Sequence, residues 1–486
     1  MTTTPESRIA GRVPELSATE AAECVPTDGT VLTSGFGRVG YPKAVPTAIA
    51  ESDRSYGLTV VSGGSVGEEI DTALVESNSV DRRFPYQATA AARAAANDNR
   101  IAFHDRHIAG LADEVQFRHL ADPDVALIEA VAVGEDWLIP STSIGQTPAY
   151  VEAAEELIVE LNRAQPRSLA AFHDVYRPAP PPRRGPVPLT APCERIGDPR
   201  IRFGSETLLG VVETEQPDSP YEFRDPTGTD EAIAANLGAF LEEEIERNPA
   251  LASAVRVQFG VGSLGNALAG ALSDVSFGDR TVTYYGEVFQ DGLLDLVEDG
   301  DIAGASATSL ALSRDGQDRL FEDVERYAED VVLRPADISN RAELVSRFGV
   351  VSINSALEVD VYGHANSTHV GGSRLLNGVG GSGDFVRNGL VSIVALPATA
   401  VEGSVSTIVP SVPHVDHTEH DIDVVITDHG VADLRGRSPM ERANAIIGSC
   451  AAPKTREALE AYLESAGSSG GHIHHDPEAA AGWEWR

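Results

Sequence analysis

The stretch VRVQFGVGSLGNALAGALSDVSFGDRTVTYYGEVF, residues 255–289, decides the fold class. Val255, Val257 and Phe259 alternate with polar neighbours, as a strand does. Gly260, Gly262 and Gly265 then make a turn, Asn266 to Leu272 reads as a helix, and Thr281 to Tyr285 as the next strand. Strand, glycine turn, helix, strand is the repeating order of α/β folds with largely parallel sheets. The same order stands earlier in the chain. Val31 and Leu32 lead into Gly35, Gly37 and Gly40, a helix is expected around Pro46 to Glu51, and Leu58 to Val61 follow as a strand. Pro46 suits the first turn of that helix, where its missing N–H costs nothing. The two glycine turns begin 225 residues apart, so two related open α/β domains are expected rather than a solenoid.

Working outward, residues 177–192 (RPAPPPRRGPVPLTAP) have the composition of a linker, yet Ile201 to Glu213 resumes an apolar strand pattern. A second polar break, Glu215 to Gly228, precedes Ile233, Leu237, Leu241 and Ile245 at helical spacing, with Thr229 as the expected cap. The boundary is therefore drawn near residue 222. This gives an N-terminal α/β domain over 1–222 and a C-terminal one over 223–486, the latter carrying Glu287. The tail from Ser465 onward is rich in Gly and Ser, holds His472, His474 and His475, and is expected to pack loosely.

Composition narrows the function. The 486 residues carry 37 Lys plus Arg against 74 Asp plus Glu, a net charge of −37, and only Lys43 and Lys454 are lysine. Such a surface repels phosphate backbones and anionic membranes, so neither nucleic acid nor membrane is expected as a partner. It suits a protein working in high salt, where screening relieves self-repulsion. Apolar residues make up 42%, enough for large cores, which excludes a disordered acidic chain. The N-terminal run MTTTPESRIAGR lacks the apolar core of a signal peptide, so a cytoplasmic location is expected. Cys24, Cys193 and Cys450 stand singly, without a CxxC pair, and read as reduced, small buried hydrophobes.

Several motifs bear chemistry. Gly35-x-Gly37-x-x-Gly40 and Gly260-x-Gly262-x-x-Gly265 both fit a dinucleotide fingerprint, and Glu287 lies 22 residues beyond Gly265, where a ribose-binding acid would stand. The alternative is a tight strand-to-helix turn without a nucleotide. Asn377 to Phe385 (NGVGGSGDF) exposes successive backbone N–H groups suited to a phosphate, a carboxylate or a developing oxyanion, or else forms a hairpin; it lacks the Lys-Ser/Thr ending of a P-loop. His414, His417 and His420 with Asp416 and Glu419 read either as a metal cluster or, better, as a hydrogen-bonded polar turn. Glu287 in Tyr285-Gly286-Glu287-Val288-Phe289, at a strand's carboxyl end, is a candidate nucleophile.

Together these pieces resemble the acetyl-CoA hydrolase/transferase family, the class I CoA-transferases. The resemblance runs through SGFGRVGYPKAVP (34–46), DVALIEA (124–130), GVGSLGNAL (260–268), GEVFQDGLLDLVEDG (286–300), ASATS (305–309) and ISN (338–340). It continues through ALEVDVYGHANS (356–367), NGVGGSGDF (377–385) and IVPSVPHVDHTEHDIDVVITDHGVADLRG (408–436). It demotes the dinucleotide reading to a remote alternative. The resemblance implies that Glu287 is the catalytic glutamate, passing through an acyl-glutamyl anhydride to a glutamyl-CoA thioester with ping-pong kinetics. It implies that Gly260, Val261, Gly262, Ser263 and Leu264, with Gly378, Gly380 and Gly381, contact CoA, and that the Val261 and Gly381 N–H groups form the oxyanion hole. Asn340 falls beside the thioester, Arg224 near the acceptor carboxylate, and Asp428 where the family commonly has Glu. Near Gly403 a CoA-binding lysine is expected, and the chain has Ser404-Val405-Ser406. No cofactor or metal is implied, since CoA is a substrate. Acyl-CoA and small carboxylates are the expected partners, and a homodimer the expected assembly. Transfer of CoA to a small carboxylate is the first expectation, and acetyl-CoA hydrolysis the alternative.

Overall fold

The computed structural model describes residues 7–219, 222–468 and 470–483. Residues 1–6, part of the run read for a signal peptide, and 220–221, inside the polar break, lie outside them. The chain divides into two compact units. The first comprises residues 1–222, 285–291 and 304–344; the second comprises 223–284, 292–303 and 345–486.

In the first unit the strands β1 (Thr30–Thr33), β2 (Leu58–Ser62), β3 (Val80–Phe84), β4 (Ala102–Phe103), β5 (Val125–Gly134), β6 (Glu156–Asn162) and β7 (Leu208–Thr214) line up as β7-β6-β5-β1-β2-β3-β4. Every pairing along that path is parallel. β5 is buried at all its positions, which explains why VALIEAVAVG reads as a continuous apolar run and not as an alternating one. The strand order reverses between β1 and β5, and the glycine turn 35–40 follows β1 at that switch point, where open α/β sheets place their functional loops. Helix α1 (Ala44–Ala50) then starts on a buried carboxylate: Glu160 on β6 accepts the N–H groups of Lys43, Ala44 and Val45 at 2.7, 3.0 and 3.1 Å. Burial raises the Glu160 pKa, and these three donors oppose the rise.

The second unit repeats the plan. Its strands β8 (Ala254–Phe259), β9 (Thr281–Tyr285, of which Tyr285 belongs to the first unit), β10 (Val350–Ser355), β11 (Val391–Ala395), β12 (Val424–Thr427) and β13 (Gly430–Asp433) run in the order β9-β8-β10-β11-β12-β13. All pairs are parallel except the terminal hairpin β12–β13. The order again reverses beside the first strand, so the turn 260–265 after β8 occupies the position equivalent to 35–40. Helix α2 (Gly228–Arg247) is closed by a capping box in which Thr227 and Asp230 satisfy each other's backbone N–H groups, so the cap is Thr227 rather than the expected Thr229. Helix α3 (Ser263–Gly270) begins earlier than the sequence reading placed it, straight out of the glycine turn.

Three further expectations change. The cut at 222 marks where the chain first leaves the first unit, but Glu287 belongs to the first unit and not to the C-terminal half. The reason is local: Gly286 N–H donates to Ser306 O at 3.0 Å, and Glu287 O accepts the Thr308 and Ser309 N–H groups at 2.7 and 3.2 Å. The tail is docked and not loose: Tyr362 Oη donates to His474 O at 2.5 Å, Tyr462 Oη meets His475 Nδ1 at 2.9 Å, and Ala480 is buried. Of the cysteines, Cys450 is buried, Cys193 half-buried and Cys24 exposed, because Cys24 ends an amphipathic helix on its solvent face.

Candidate functional site

Glu287 sits on a short connection between β9 and the two-residue strand Val288–Phe289, which pairs in parallel with Ser309–Leu310. The half-buried carboxylate accepts a hydrogen bond from a neutral donor: Asn340 Nδ2 lies 2.7 Å from Glu287 Oε1. Asn340 is itself fixed as the cap of the short helix Ala336–Ser339, its N–H donating to Ala336 O. Beside it, Tyr285 Oη donates to Ile338 O at 2.9 Å and ties the glutamate's strand to the same helix. A carboxylate held by an amide stays a potential nucleophile, because a neutral donor leaves it its negative charge.

Beneath the glutamate the ASATS and RPADISN segments interlock. Thr308 Oγ1 donates to Arg334 O at 2.7 Å and accepts the Gly145 N–H at 3.0 Å, while Thr308 O accepts the Ile144 N–H at 2.9 Å. Arg334 is fully buried; its Nε donates to Ser306 Oγ at 3.0 Å, its Nη2 to Pro192 O at 3.0 Å, and its Nη1 pairs with Asp174. The first glycine turn packs on this cradle. A Cβ at Gly37 would meet Ala311 Cβ at 3.0 Å and Ser309 Oγ at 3.2 Å, and a Cβ at Gly40 would meet Ser143 Oγ at 2.4 Å. That fingerprint is therefore a packing device, filled by the chain itself.

The second turn is open. Gly262, with φ 136°, has no atom within 4 Å of where a Cβ would stand, and Val261 is 39% exposed. Gly260 N–H is spent on Ile353 O at 2.9 Å, so it holds the turn and has no N–H left for a ligand. Ser263 opens α3, and Ser263 Oγ accepts the Arg224 N–H at 3.1 Å; Leu264 follows it on the helix. Arg224 places its guanidinium on Asp230 (2.6 and 3.1 Å), the residue that closes the cap of α2. In the glycine cluster, Gly378 is buried, Gly380 turns the chain with φ 56°, and Gly381 is the N-cap of helix α4 (Ser382–Val386). Asp428 occupies the two-residue loop of the β12–β13 hairpin, where its Oδ1 accepts the Ala398 N–H at 2.7 Å.

The sequence model of the acetyl-CoA hydrolase/transferase N-terminal domain matches residues 14–181, and that of the C-terminal domain residues 316–463. The chain belongs to the acetyl-CoA hydrolase/transferase family. It is 40% identical over 474 residues to succinyl-CoA:acetate CoA-transferase of Clostridium kluyveri, covering 96% of this chain and 88% of the relative. It is 39% identical to propanoyl-CoA:succinate CoA transferase of Escherichia coli, covering 95% of each chain. Acetyl-CoA hydrolase of Yarrowia lipolytica is 36% identical over 92% of this chain and 89% of its own. Among solved structures, RipA from Yersinia pestis superposes with a TM-score of 0.71 at 21% identity, covering 93% and 97% of the two chains. 4-Hydroxybutyrate CoA-transferase from Porphyromonas gingivalis does so at 0.63 and 20%, covering 93% and 97%. These two share the fold.

In this hydrolase/transferase-family enzyme, the structure brings Glu287 and Asn340 within hydrogen-bond distance of each other. The motif reading gave no role to Ser306 and Thr308, although it quoted their ASATS run, nor to Arg334 and Asp174; these four build the cradle under the glutamate. Their signal was weak: an arginine two residues ahead of Ala336, and serines and threonines on a strand, are ordinary in any sequence. The histidine-rich run is not helical. His364 bridges Asp360 (3.0 Å) and Glu419 (2.7 Å), His414 stacks with His369 at 4.1 Å between centroids, and His417 is buried.

Proposed function

We propose that this enzyme moves CoA between a short-chain acyl-CoA, such as acetyl-, propionyl- or succinyl-CoA, and a small carboxylate, through a thioester on Glu287. The observation that carries the reading is the half-buried Glu287 carboxylate held at 2.7 Å by Asn340. A carboxylate oxygen of Glu287 attacks the acyl carbonyl, and the C–S bond breaks to release CoA thiolate and leave an acyl-glutamyl anhydride. The thiolate then attacks the glutamyl carbonyl, expelling the free carboxylic acid as its anion and leaving glutamyl-CoA. An incoming carboxylate retraces the two steps, so charge and protons balance without an external base. Val261 and Gly381 N–H groups serve as oxyanion donors in this reading, and such a donor contributes about a hundred-fold or more in rate. Arg224 is the candidate for the acceptor carboxylate, in exchange with Asp230.

Hydrolysis differs only in the last step, where water takes the place of the acceptor. It is kept as the second reading because the relative from Yarrowia lipolytica carries that name. One assay separates them. Free thiol released from acetyl-CoA is measured with and without acetate or succinate, and acyl exchange into the acceptor is followed by mass. Acceptor-dependent exchange with little thiol release is expected; steady thiol release without an acceptor establishes the hydrolase instead. Incubation with acetyl-CoA alone should leave a CoA-mass adduct on the peptide holding Glu287, absent in Glu287→Ala. An adduct elsewhere, or none, overturns the mechanism.

A further inference from the structure

Of the three histidines in the run HVDHTEHD (414–421), one is directed inward. His417 is 1% exposed, whereas the His420 side chain is 83% exposed. His417 Nε2 lies 3.2 Å from Ser382 Oγ, the hydroxyl next in sequence to Gly381. Ser382 Oγ in turn donates to Val379 O at 2.8 Å. A hydroxyl has a single hydrogen, and here it goes to that carbonyl. The proton between the ring and the hydroxyl therefore comes from the imidazole, and the network assigns His417 its hydrogen on Nε2. The relay runs from His417 Nε2–H to Ser382 Oγ–H to the Val379 carbonyl.

The imidazole is delivered by backbone. His417 N–H donates to Ala365 O at 3.1 Å, and His417 O accepts the Ala365 N–H at 2.9 Å. Its neighbour Asp416 accepts the Ser367 N–H at 2.6 Å and the Thr368 hydroxyl at 2.9 Å. The run is thus strapped to residues 365–368. The glycine loop has few side chains of its own to fix it: Gly378, Gly380 and Gly381 carry none, and Gly380 sits at φ 56°. Fixing the Val379 carbonyl fixes the plane of the peptide that Val379 shares with Gly380. Only the dihedrals of Gly380 then separate that plane from the Gly381 N–H.

We propose that His417 is a positioning residue which, acting through Ser382, holds the Val379 carbonyl and thereby aims the Gly381 N–H at the reacting carbonyl. The assignment rests on the transferase reading above, in which Gly381 is an oxyanion donor. The test is a double-mutant cycle on the full chain, with acyl exchange from acetyl-CoA as the assay and thermal melting as the fold control. Ser382→Ala and His417→Ala should each lower kcat about 10- to 100-fold, less than outright loss of a donor, with KM for acetyl-CoA little changed. The double variant should be no slower than the worse single one, because both break the same relay. His417→Gln, whose amide N–H replaces Nε2–H, and Ser382→Thr should recover most of the rate, and His420→Ala should match the wild type. Multiplying losses, a loss confined to KM, or wild-type rates in Ser382→Ala overturn the proposal. If His417→Ala does not fold, Ser382→Ala against His417→Gln carries the same decision. An inactive wild type would overturn the transferase reading and this role with it, whereas an active wild type with independent losses overturns the role alone.

Discussion

At the scale of single residues, the pair Glu287–Asn340 and the ion Lys43 behave oppositely. Asn340 donates a hydrogen bond at 2.7 Å to the carboxylate proposed as the nucleophile. A hydrogen bond to a charged group is worth about 1.5–3 kcal/mol, so Asn340→Ala is predicted to lower kcat roughly 10- to 100-fold, with little change in melting temperature. Steady-state kinetics beside a thermal melt checks both halves. Lys43 is a structural ion. It is 1% exposed, its Nζ lies 2.6 Å from Glu129 and 2.9 Å from Asp218, and Asp218 also accepts the Gly40 N–H and the Thr142 hydroxyl. A chain that has shed nearly every surface lysine keeps this one because its task is neutralising buried carboxylates. Lys43→Met should cost about 3–5 kcal/mol, read from the denaturant midpoint, since two carboxylates lose their partner.

At the scale of elements, the first glycine turn and the glutamate's strand pair form one packed object. Gly37 has φ 70° and faces Ala311 and Ser309 across van der Waals distance. Gly37→Ala therefore meets a left-handed backbone and a neighbour at 3.0 Å together. A loss of about 1–3 kcal/mol in urea unfolding is predicted, with activity falling alongside. A second element-scale contact is sensitive to pH. His364 joins the turn at Asp360 to the run carrying Glu419, and the hydrogen bond it donates to Asp360, with both acids nearby, raises its pKa above 6.5 against the opposing effects of burial and of Arg442. Because the folded value is raised, the stabilisation is complete below the unfolded value and is lost as pH rises through the folded one. Melting temperature should fall as pH rises above the ordinary imidazole value of about 6.5 in the wild type, and His364→Gln should flatten that part of the curve.

At the scale of the whole molecule, the charge of −37 sets the conditions under which everything else operates. Self-repulsion of this size weakens as the Debye length shrinks, from about 10 Å in 0.1 M salt to about 3 Å in 1 M. Melting temperature is predicted to rise steeply with salt, and a salt-independent melt would show that the acidic surface has no such role. The same charge repels CoA and carboxylates, so under the proposed function recognition falls to local donors, for which the open turn 261–264, the loop 378–381 and single arginines such as Arg224 are the candidates. Arg224 shows the tension directly, because its fork already rests on Asp230.

Periodicity and glycine placement were enough to place β1, β2, β8 and β9 and the turns between them, because strand alternation and turn chemistry are local properties of the chain. Motif order was enough to single out Glu287 and Asn340 and to reach the family. Four things were decided only by tertiary structure. Glu287 packs with the N-terminal unit, because its own backbone bonds to Thr308 and Ser309, and that of Gly286 to Ser306, outweigh its place in the sequence. One of two near-identical glycine fingerprints is filled by Ala311, Ser309 and Ser143 while the other stays open. Arg334 and Lys43 are buried ions, although composition marks both residue types as surface. His417 meets Ser382 from 35 residues away. Each of these depends on which distant atoms fill the space around a side chain, and no local pattern of residues encodes that.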